Sequence, residues 1–335
     1  MIISQTPLRV SFLGGGSDLP SYYRRHGGAV LSTTIDKSVY VTVSRKFDDA
    51  VRVSYSRTEE VPHASLVEHP LVRESLALVG VEGGIEITSV ADIPAKGTGL
   101  GSSSSFTVGL LNSLYAHCGK QATAESLAKE SCMVEIERCG EPIGKQDQYA
   151  AAFGGFNFIR FHTDNTVEVK PVHCSPELLE ELQSRLLFFY TGLTRSASAL
   201  LQKQSADVAG PGEKSDATGD MVGLAEAAFT ELSAGRLDAL GGLLHQSWQI
   251  KKRIASGASN EVIDEAYDAA CLAGAEGGKI LGAGGGGFLM FYAPRERHAS
   301  IRQALSKLRE TPFRFTSQGS RIIFVHGASE AAKQV

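Results

Sequence analysis

Residues 97–105 read Gly-Thr-Gly-Leu-Gly-Ser-Ser-Ser-Ser, and their types and spacing point to phosphate chemistry. Gly97, Gly99 and Gly101 remove side chains around Leu100, so backbone N–H groups can approach a ligand closely. Ser102, Ser103, Ser104 and Ser105 add hydroxyl donors. Behind them Phe106, Leu110, Leu111, Leu114 and Tyr115 recur at helical spacing. A Gly/Ser loop feeding a helix N-terminus gathers free N–H groups and the positive end of the helix dipole at one spot, which suits phosphate. No Lys-Ser/Thr pair closes the run, so it is not a Walker loop. A Gly/Ser run can also be a flexible linker. A linker, however, has no reason to stand between a strand-like stretch (Ile85, Ile87, Val90) and a strongly apolar helix.

Three further places could contribute to a site. Gly14, Gly15 and Gly16 precede Ser17 and Asp18, whose carboxylate could accept hydrogen bonds from ligand hydroxyls. The same residues could equally be a strand-to-helix turn with Asp18 as its cap. Asp147 stands among small and apolar residues (Ala150, Ala151, Ala152, Phe153), so a partly buried carboxylate needing a partner is expected, with Arg9 and Lys145 as candidates. An ordinary helix-capping aspartate is the alternative. Residues 282–287 hold five glycines in six positions, more than the two special residues a hairpin needs. Their number argues for backbone lying against a ligand or another loop.

The elements that must position these residues follow from periodicity. Leu8, Val10 and Phe12 alternate with Arg9 and Ser11 as a strand running into the first glycines. Strand pattern returns over 30–43, and residues 61–80 carry helical spacing. A single helix is expected over 123–138, with Glu130, Glu135 and Glu137 beside its apolar positions and Gly140 and Pro142 ending it. Aromatic alternation over 153–161 marks a strand, and the pattern pauses near Pro171 and Pro176, which places a domain boundary at 173/174. The second half opens on the apolar strand 186–190. Residues 205–220, rich in Gly, Ala, Ser and Asp around Pro211, read as a mobile surface loop or lid. Helices over 221–234, 236–254 and 260–273 precede the last glycine-rich stretch, and a helix near 299–309 and strands at 313–315 and 321–325 close the chain.

Composition bounds the function. At 335 residues, 42% of them apolar, the chain can build about two domains. A net charge of −4, with Lys/Arg mixed among acids, gives no footprint for nucleic acid. No apolar run approaches a membrane span. The opening residues lack a basic start or cleavage signal, and five irregularly spaced cysteines without a C-x-x-C pair read as free thiols, so a cytoplasmic protein is expected.

The stretch from Thr6 to Leu19 resembles the first motif of the GHMP kinases (galactokinase, homoserine kinase, mevalonate kinase, phosphomevalonate kinase), Pro94 to Ser105 their nucleotide-binding motif, and Lys279 to Leu289 their third. The three span nearly the whole chain in the family's order. The resemblance implies an α+β GHMP kinase fold: an N-terminal half (1–173) like the second domain of ribosomal protein S5, and a ferredoxin-like C-terminal half (174–335). It implies ATP and Mg2+ in a cleft between them, with residues 97–105 on the nucleotide. By position Asp147 matches the catalytic aspartate, Arg9 the basic residue facing it, Ser103 and Glu137 the Mg2+ ligands, and Asp18 a sugar-hydroxyl ligand. Gly15, Gly16, Ser17, Gly284 and Gly285 would complete the substrate side. Galactokinases carry Glu-His in place of Gly15-Gly16, which argues against galactose. The Gly-Gly-Gly-Ser-Asp-Leu form is closest to bacterial kinases of D-glycero-D-manno-heptose 7-phosphate, and fucose kinases are similar there. The implied reaction is phosphorylation of the anomeric hydroxyl to a 1,7-bisphosphate, feeding nucleotide-activated heptose for surface polysaccharide. A phosphorylated sugar needs a second basic site, for which Arg195, then Arg24, Arg25 or Lys37, are candidates. An L-fucose-type 1-kinase and a non-catalytic sugar- and ATP-sensing relative are the alternatives. The implied partners are therefore small molecules, with a homo-oligomer compatible and neither nucleic acid nor membrane expected.

Overall fold

The computed structural model of the chain describes residues 1–93, 97–193 and 197–326. The first half runs β1 (Ile2–Leu13), α1 (Pro20–His26), β2 (Gly28–Arg45), β3 (Val51–Ser54), β4 (Thr58–Val61), α2 (Pro70–Val79), β5 (Ile85–Ala91), α3 (Ser102–His117), α4 (Ala124–Cys132), α5 (Gln146–Phe153), β6 (Phe156–Phe161) and β7 (Val167–Pro171). The second runs α6 (Pro176–Ser184), β8 (Leu186–Tyr190), α7 (Ala197–Asp207), α8 (Glu213–Ser233), α9 (Leu240–Ile254), α10 (Glu261–Leu272), β9 (Gly277–Ile280), β10 (Phe288–Tyr292), α11 (His298–Ala304), β11 (Arg309–Glu310), β12 (Phe315–Thr316) and β13 (Arg321–Val325).

The elements form two sheets. Among the described residues a nine-stranded sheet is ordered β13-β1-β2-β5-β3-β4, with β6 and β12 also on β2 and β7 on β6; a four-stranded sheet is ordered β11-β8-β10-β9. Helices α3, α5 and α8 pack on β1 and β2. The inner half of β1 is therefore buried on successive residues instead of alternating. One apolar core runs through both halves, joining Leu8, Val10 and Leu110 to Leu244, Leu281 and Phe288.

Two details position the site. The pairing of β1 with β2 shifts between Pro7, opposite Ser38, and Arg9, opposite Thr34. Ile35, in the excess of β2, pairs with Phe315 of β12 instead. A bulge of this kind re-aims the neighbouring side chain, here Arg9. Further on, α4 ends at Cys132, and the expected single helix 123–138 continues as a π-helical turn over Met133–Arg138.

The structure differs from expectation elsewhere. Residues 205–220 are not an open loop: α7 extends to Asp207 and α8 begins at Glu213, leaving only a short turn. Ser, Ala and Asp there occupy helix, because buried Ser215, Ala217, Thr218 and Met221 pack one face of α8 inward. Across the expected boundary at 173/174, β12 and β13 return to the first sheet, pairing β2 and β1.

Candidate active site

The three glycine-rich stretches converge on an open cleft of about 240 Å3. One wall is the serine loop. Gly97, Gly99 and Gly101 hold φ of 74, 77 and 77°, the left-handed region that favours glycine. Gly101 is the N-cap of α3 and supplies no side-chain cap. The first N–H groups of the helix therefore lack an intrahelical partner. The hydroxyls of Thr98 and Ser102 are buried without a partner on the same wall. A 16-residue helix presenting unpaired donors to a cleft is suited to an anion.

The third glycine-rich stretch supports that wall from behind. A Cβ on Gly282 would lie 2.5 Å from Gly99 Cα, and one on Gly287 2.4 Å from the Thr98 carbonyl oxygen. The two loops stack backbone on backbone, which explains the glycine count without any ligand there. Gly282 and Ala283 reach the cleft, whereas Gly284 and Gly285 turn to the Ala258 carbonyl.

At the floor, Arg9 grips Asp147 with two parallel bonds: Nε and Nη2 each donate over 2.7 Å to the two carboxylate oxygens. Nη1 donates to the Gly99 carbonyl at 2.5 Å, and the backbone N–H of Arg9 to the Leu100 carbonyl at 3.0 Å. Strand β1, the serine loop and the first turn of α5 are thus locked to one guanidinium. Lys145, the other candidate partner, donates instead to Asn165 Oδ1 at 2.7 Å. Asp147 is not a helix cap; Lys145 occupies that position, and Asp147 faces the cleft, 22% exposed.

Asp18 is buried beside the same floor. Its Oδ1 accepts from the Gly16 N–H (3.0 Å) and Gln146 Nε2 (3.2 Å), and its Oδ2 from the Gln146 N–H (3.2 Å). Burial, together with the nearby charge of Asp147, pushes its carboxyl up, while these N–H bonds oppose the shift. Asp18 holds the Gln146 amide so that Oε1 is left buried without a partner at the cleft. Ser17 bonds to the Gly14 and Ala29 carbonyls and holds the turn.

A second carboxyl stands behind the serine loop. Glu135 is buried, with Oε1 accepting from Thr107 (3.1 Å) and Ser103 (3.4 Å) and Oε2 from the Gln148 amide. Burial raises it to about 7; hydrogen bonds from Ser104, Gln148 and Thr107 pull the other way, and the charge of Asp147 adds to the rise. Among the described residues no cation pairs with it. Glu137, by contrast, lies exposed. It is thus Glu135, and not Glu137, whose carboxyl stands against Ser103. Buried Leu127, Ala128, Ser131 and Cys132 set a stripe that meets position 135 one turn later and leaves 137 on the solvent side.

The other predicted residues divide. Gly97, Gly99, Leu100, Gly101 and Ser102 to Ser104 line the cleft, as do Gly15, Gly16 and Asp18. Ser105 does not: its hydroxyl donates to the Pro7 carbonyl at 2.8 Å and pins α3 to β1. Arg195 lies outside the described residues. Arg24 and Arg25 are exposed on α1, Lys37 lies beside Asp36, and none of the three lines the cleft. The cleft is also lined by Gln146, Lys251 and Lys279, which sequence reasoning does not single out, and Glu135 stands behind its wall. For Lys251 a signal existed: it follows Leu244 and Trp248 along the apolar face of α9.

Comparison with known proteins gives the same outline. The model described as GHMP kinases N terminal domain matches residues 66–155, and that described as GHMP kinases C terminal matches residues 226–311. The chain is 29% identical, over 95% of its length and 97% of the relative's, to a D-glycero-alpha-D-manno-heptose 7-phosphate kinase of Campylobacter jejuni. It is 25% identical over 91% of its length to a bifunctional fucokinase/GDP-fucose pyrophosphorylase of Arabidopsis thaliana, covering 31% of that protein. Among solved structures, a D-glycero-D-manno-heptose 1-phosphate kinase from Bacteriodes thetaiotaomicron superposes with a TM-score of 0.80 at 26% identity, covering 97% of this chain and all of that one.

Proposed function

Since this chain belongs to the GHMP kinases, we propose that it transfers the γ-phosphoryl group of ATP to the anomeric hydroxyl of D-glycero-α-D-manno-heptose 7-phosphate. The 1,7-bisphosphate formed is a precursor of nucleotide-activated heptose for surface polysaccharide. The observation that carries the reading is the Arg9–Asp147 pair at the foot of a loop of unpaired N–H donors: a fixed carboxylate beside a phosphate cradle. Phosphoryl transfer needs positioning and charge neutralisation more than covalent help. The N–H groups of Gly101 to Ser104 hold the nucleotide phosphates. Asp147 accepts the proton of the attacking hydroxyl, while Arg9 fixes the carboxylate by two bonds. Gln146 Oε1, held by Asp18, reads a sugar hydroxyl beside the bare backbone of Gly15 and Gly16.

The residues present fit Mg2+. Glu135 is a buried carboxyl with only neutral donors around it, Ser103 stands next to it, and the Ser102 hydroxyl is orphaned nearby. These are hard oxygen ligands, and Mg2+ takes few of them from protein while keeping waters. Ser103 and Glu135 would hold the ion, which when bound supplies charge neutralisation on the nucleotide phosphates.

The test is turnover with ATP and heptose 7-phosphate, free heptose and L-fucose. Heptose 7-phosphate should give the highest kcat/KM, and Arg195→Ala should raise KM for it without moving KM for ATP. Equal KM for heptose and its 7-phosphate would remove the phosphate requirement, and preference for fucose would turn the reading toward a fucose-type 1-kinase, consistent with the similarity to the fucokinase. No turnover of any sugar would leave a non-catalytic relative.

A further inference from the structure

We propose that Lys251 and Lys279 form a buried phosphate subsite at the floor of the cleft, a pair of cations that engages the phosphoryl group in transit. Both residues line the cleft together with Arg9. Both are almost wholly buried, 5% and 3% exposed. Each spends one N–H donor on a backbone carbonyl: Lys279 Nζ on Phe12 (3.0 Å) and Lys251 Nζ on Gly282. An ammonium group has three donors. Among the described residues neither lysine makes an ion pair with a carboxylate. Of the two carboxyls at the floor, Asp147 has both oxygens held by Arg9, and Asp18 accepts from the N–H groups of Gly16 and Gln146, its charge reaching Lys251 without an ion pair.

Burying a charge is costly unless it is paired. The last turn of α9, where Lys251 stands, offers a favourable dipole end, but Lys279 sits in the middle of β9 without one. The strain shows in their titration. Burial lowers Lys251 to about 8, with the charge of Arg9 adding to the fall and that of Asp18 opposing it. Burial also lowers Lys279 well below the ordinary lysine range, and the charges of Lys251 and Arg9 add to that. Purely structural roles would be met by apolar side chains, as at Leu244 and Trp248 on the same helix. Two buried cations beside the Arg9–Asp147 pair are stabilised by a multiply charged anion.

The phosphate could come from ATP or from the acceptor. The carbonyls that hold the lysines choose between them. Gly282 stacks on Gly99 of the nucleotide-facing loop, and Phe12 lies three residues beyond Arg9 on β1. The subsite thus joins the phosphate cradle, through Gly282 and Gly99, to the end of β1 that leads into the acceptor turn, through Phe12, which sets it where a phosphoryl group passes from one to the other. This inference rests on the kinase reading above.

The test is calorimetric titration of the intact protein, wild type against Lys251→Met and Lys279→Met, with AMPPNP, ADP, heptose 7-phosphate and free heptose. AMPPNP should bind each variant about 10–100-fold more weakly, the usual weight of one charge-assisted bond, with ADP binding unchanged. A loss confined to heptose 7-phosphate relative to heptose would keep the phosphate subsite but assign it to the acceptor. No loss, or the same loss for all four ligands, would overturn it. A measurement on the wild type alone covers variants that fail to fold: in protein labelled with 15N-lysine, the Nζ resonances of two buried lysines should shift with AMPPNP and not with ADP. Resonances indifferent to every phosphate ligand would overturn the proposal. Failure of the kinase reading has a different signature, absence of wild-type turnover with the AMPPNP-over-ADP discrimination retained.

Discussion

Arg9 with Asp147, facing the cleft, and Glu135 with its neighbours, behind the serine loop, are two ways of keeping charge at one site. Arg9 and Asp147 answer each other with two bonds of 2.7 Å, so their geometry is complete before any ligand arrives. Among the described residues Glu135 has three neutral donors and no cation, and Lys251 and Lys279 each have one carbonyl. The first arrangement fixes an orientation; the second stores unmet charge. A kinase needs both, since its base must be held still while its anion and cation sites must gain on binding. Asp18 is an intermediate case, a buried carboxyl met entirely by N–H groups, and it passes its order on to Gln146.

The comparison can be broken most sharply at the paired site. Asp147→Asn keeps one acceptor for Arg9, so the fold and ATP binding should persist while kcat falls about 10²–10⁴-fold, the usual range for a general base. Wild-type turnover in the purified variant would show that the pair is only structural. At the unpaired carboxyl, Glu135→Gln and Ser103→Ala should each raise the Mg2+ concentration for half-maximal rate at least about tenfold, with rate partly restored by excess Mg2+. An unshifted Mg2+ dependence in both would remove the ligand assignment.

The intermediate case predicts a smaller and more selective effect. A Cβ on Gly144 would fall 1.9 Å from Asp18 Oδ2. Gly144→Ala should therefore displace Asp18 and Gln146 at about 1–3 kcal/mol, typical of overpacking, raising KM for the sugar and leaving KM for ATP in place. A parallel rise in both constants would mean that Asp18 does not act through the acceptor side. Glu137→Gln is expected to do nothing measurable to the Mg2+ dependence, because its side chain is exposed.

Much of this was legible in the sequence, and the misses have physical causes. The serine loop, its helix and Asp147 were readable because glycine spacing and a strong apolar period are local signals. The Arg9–Asp147 partnership could be named only as one of two, since it spans 138 positions and depends on a bulge in β1. The resemblance points to Glu137, ten residues before Asp147, whereas the helix phase set by Ala128, Ser131 and Cys132 faces 135 inward and leaves 137 exposed. The glycines at 284 and 285 read as ligand-facing because a ligand and a second backbone demand the same bare chain; their contacts with the Ala258 backbone separate the two. The loop expected at 205–220 proved helical because small residues that favour turns in isolation also suit a close-packed helix face. The return of β12 and β13 to the first sheet is a long-range pairing that short strands do not announce.

The central claim is that this cleft phosphorylates an anomeric hydroxyl. Proton-coupled 31P NMR of the purified protein with ATP, Mg2+ and D-glycero-α-D-manno-heptose 7-phosphate tests it directly. The account predicts loss of the γ-phosphate signal of ATP, the rise of ADP, and a new phosphate resonance split by the anomeric proton beside the retained 7-phosphate, all absent with Asp147→Asn. Unchanged ATP and sugar-phosphate spectra, or a new phosphate coupled to any other sugar proton, would contradict it.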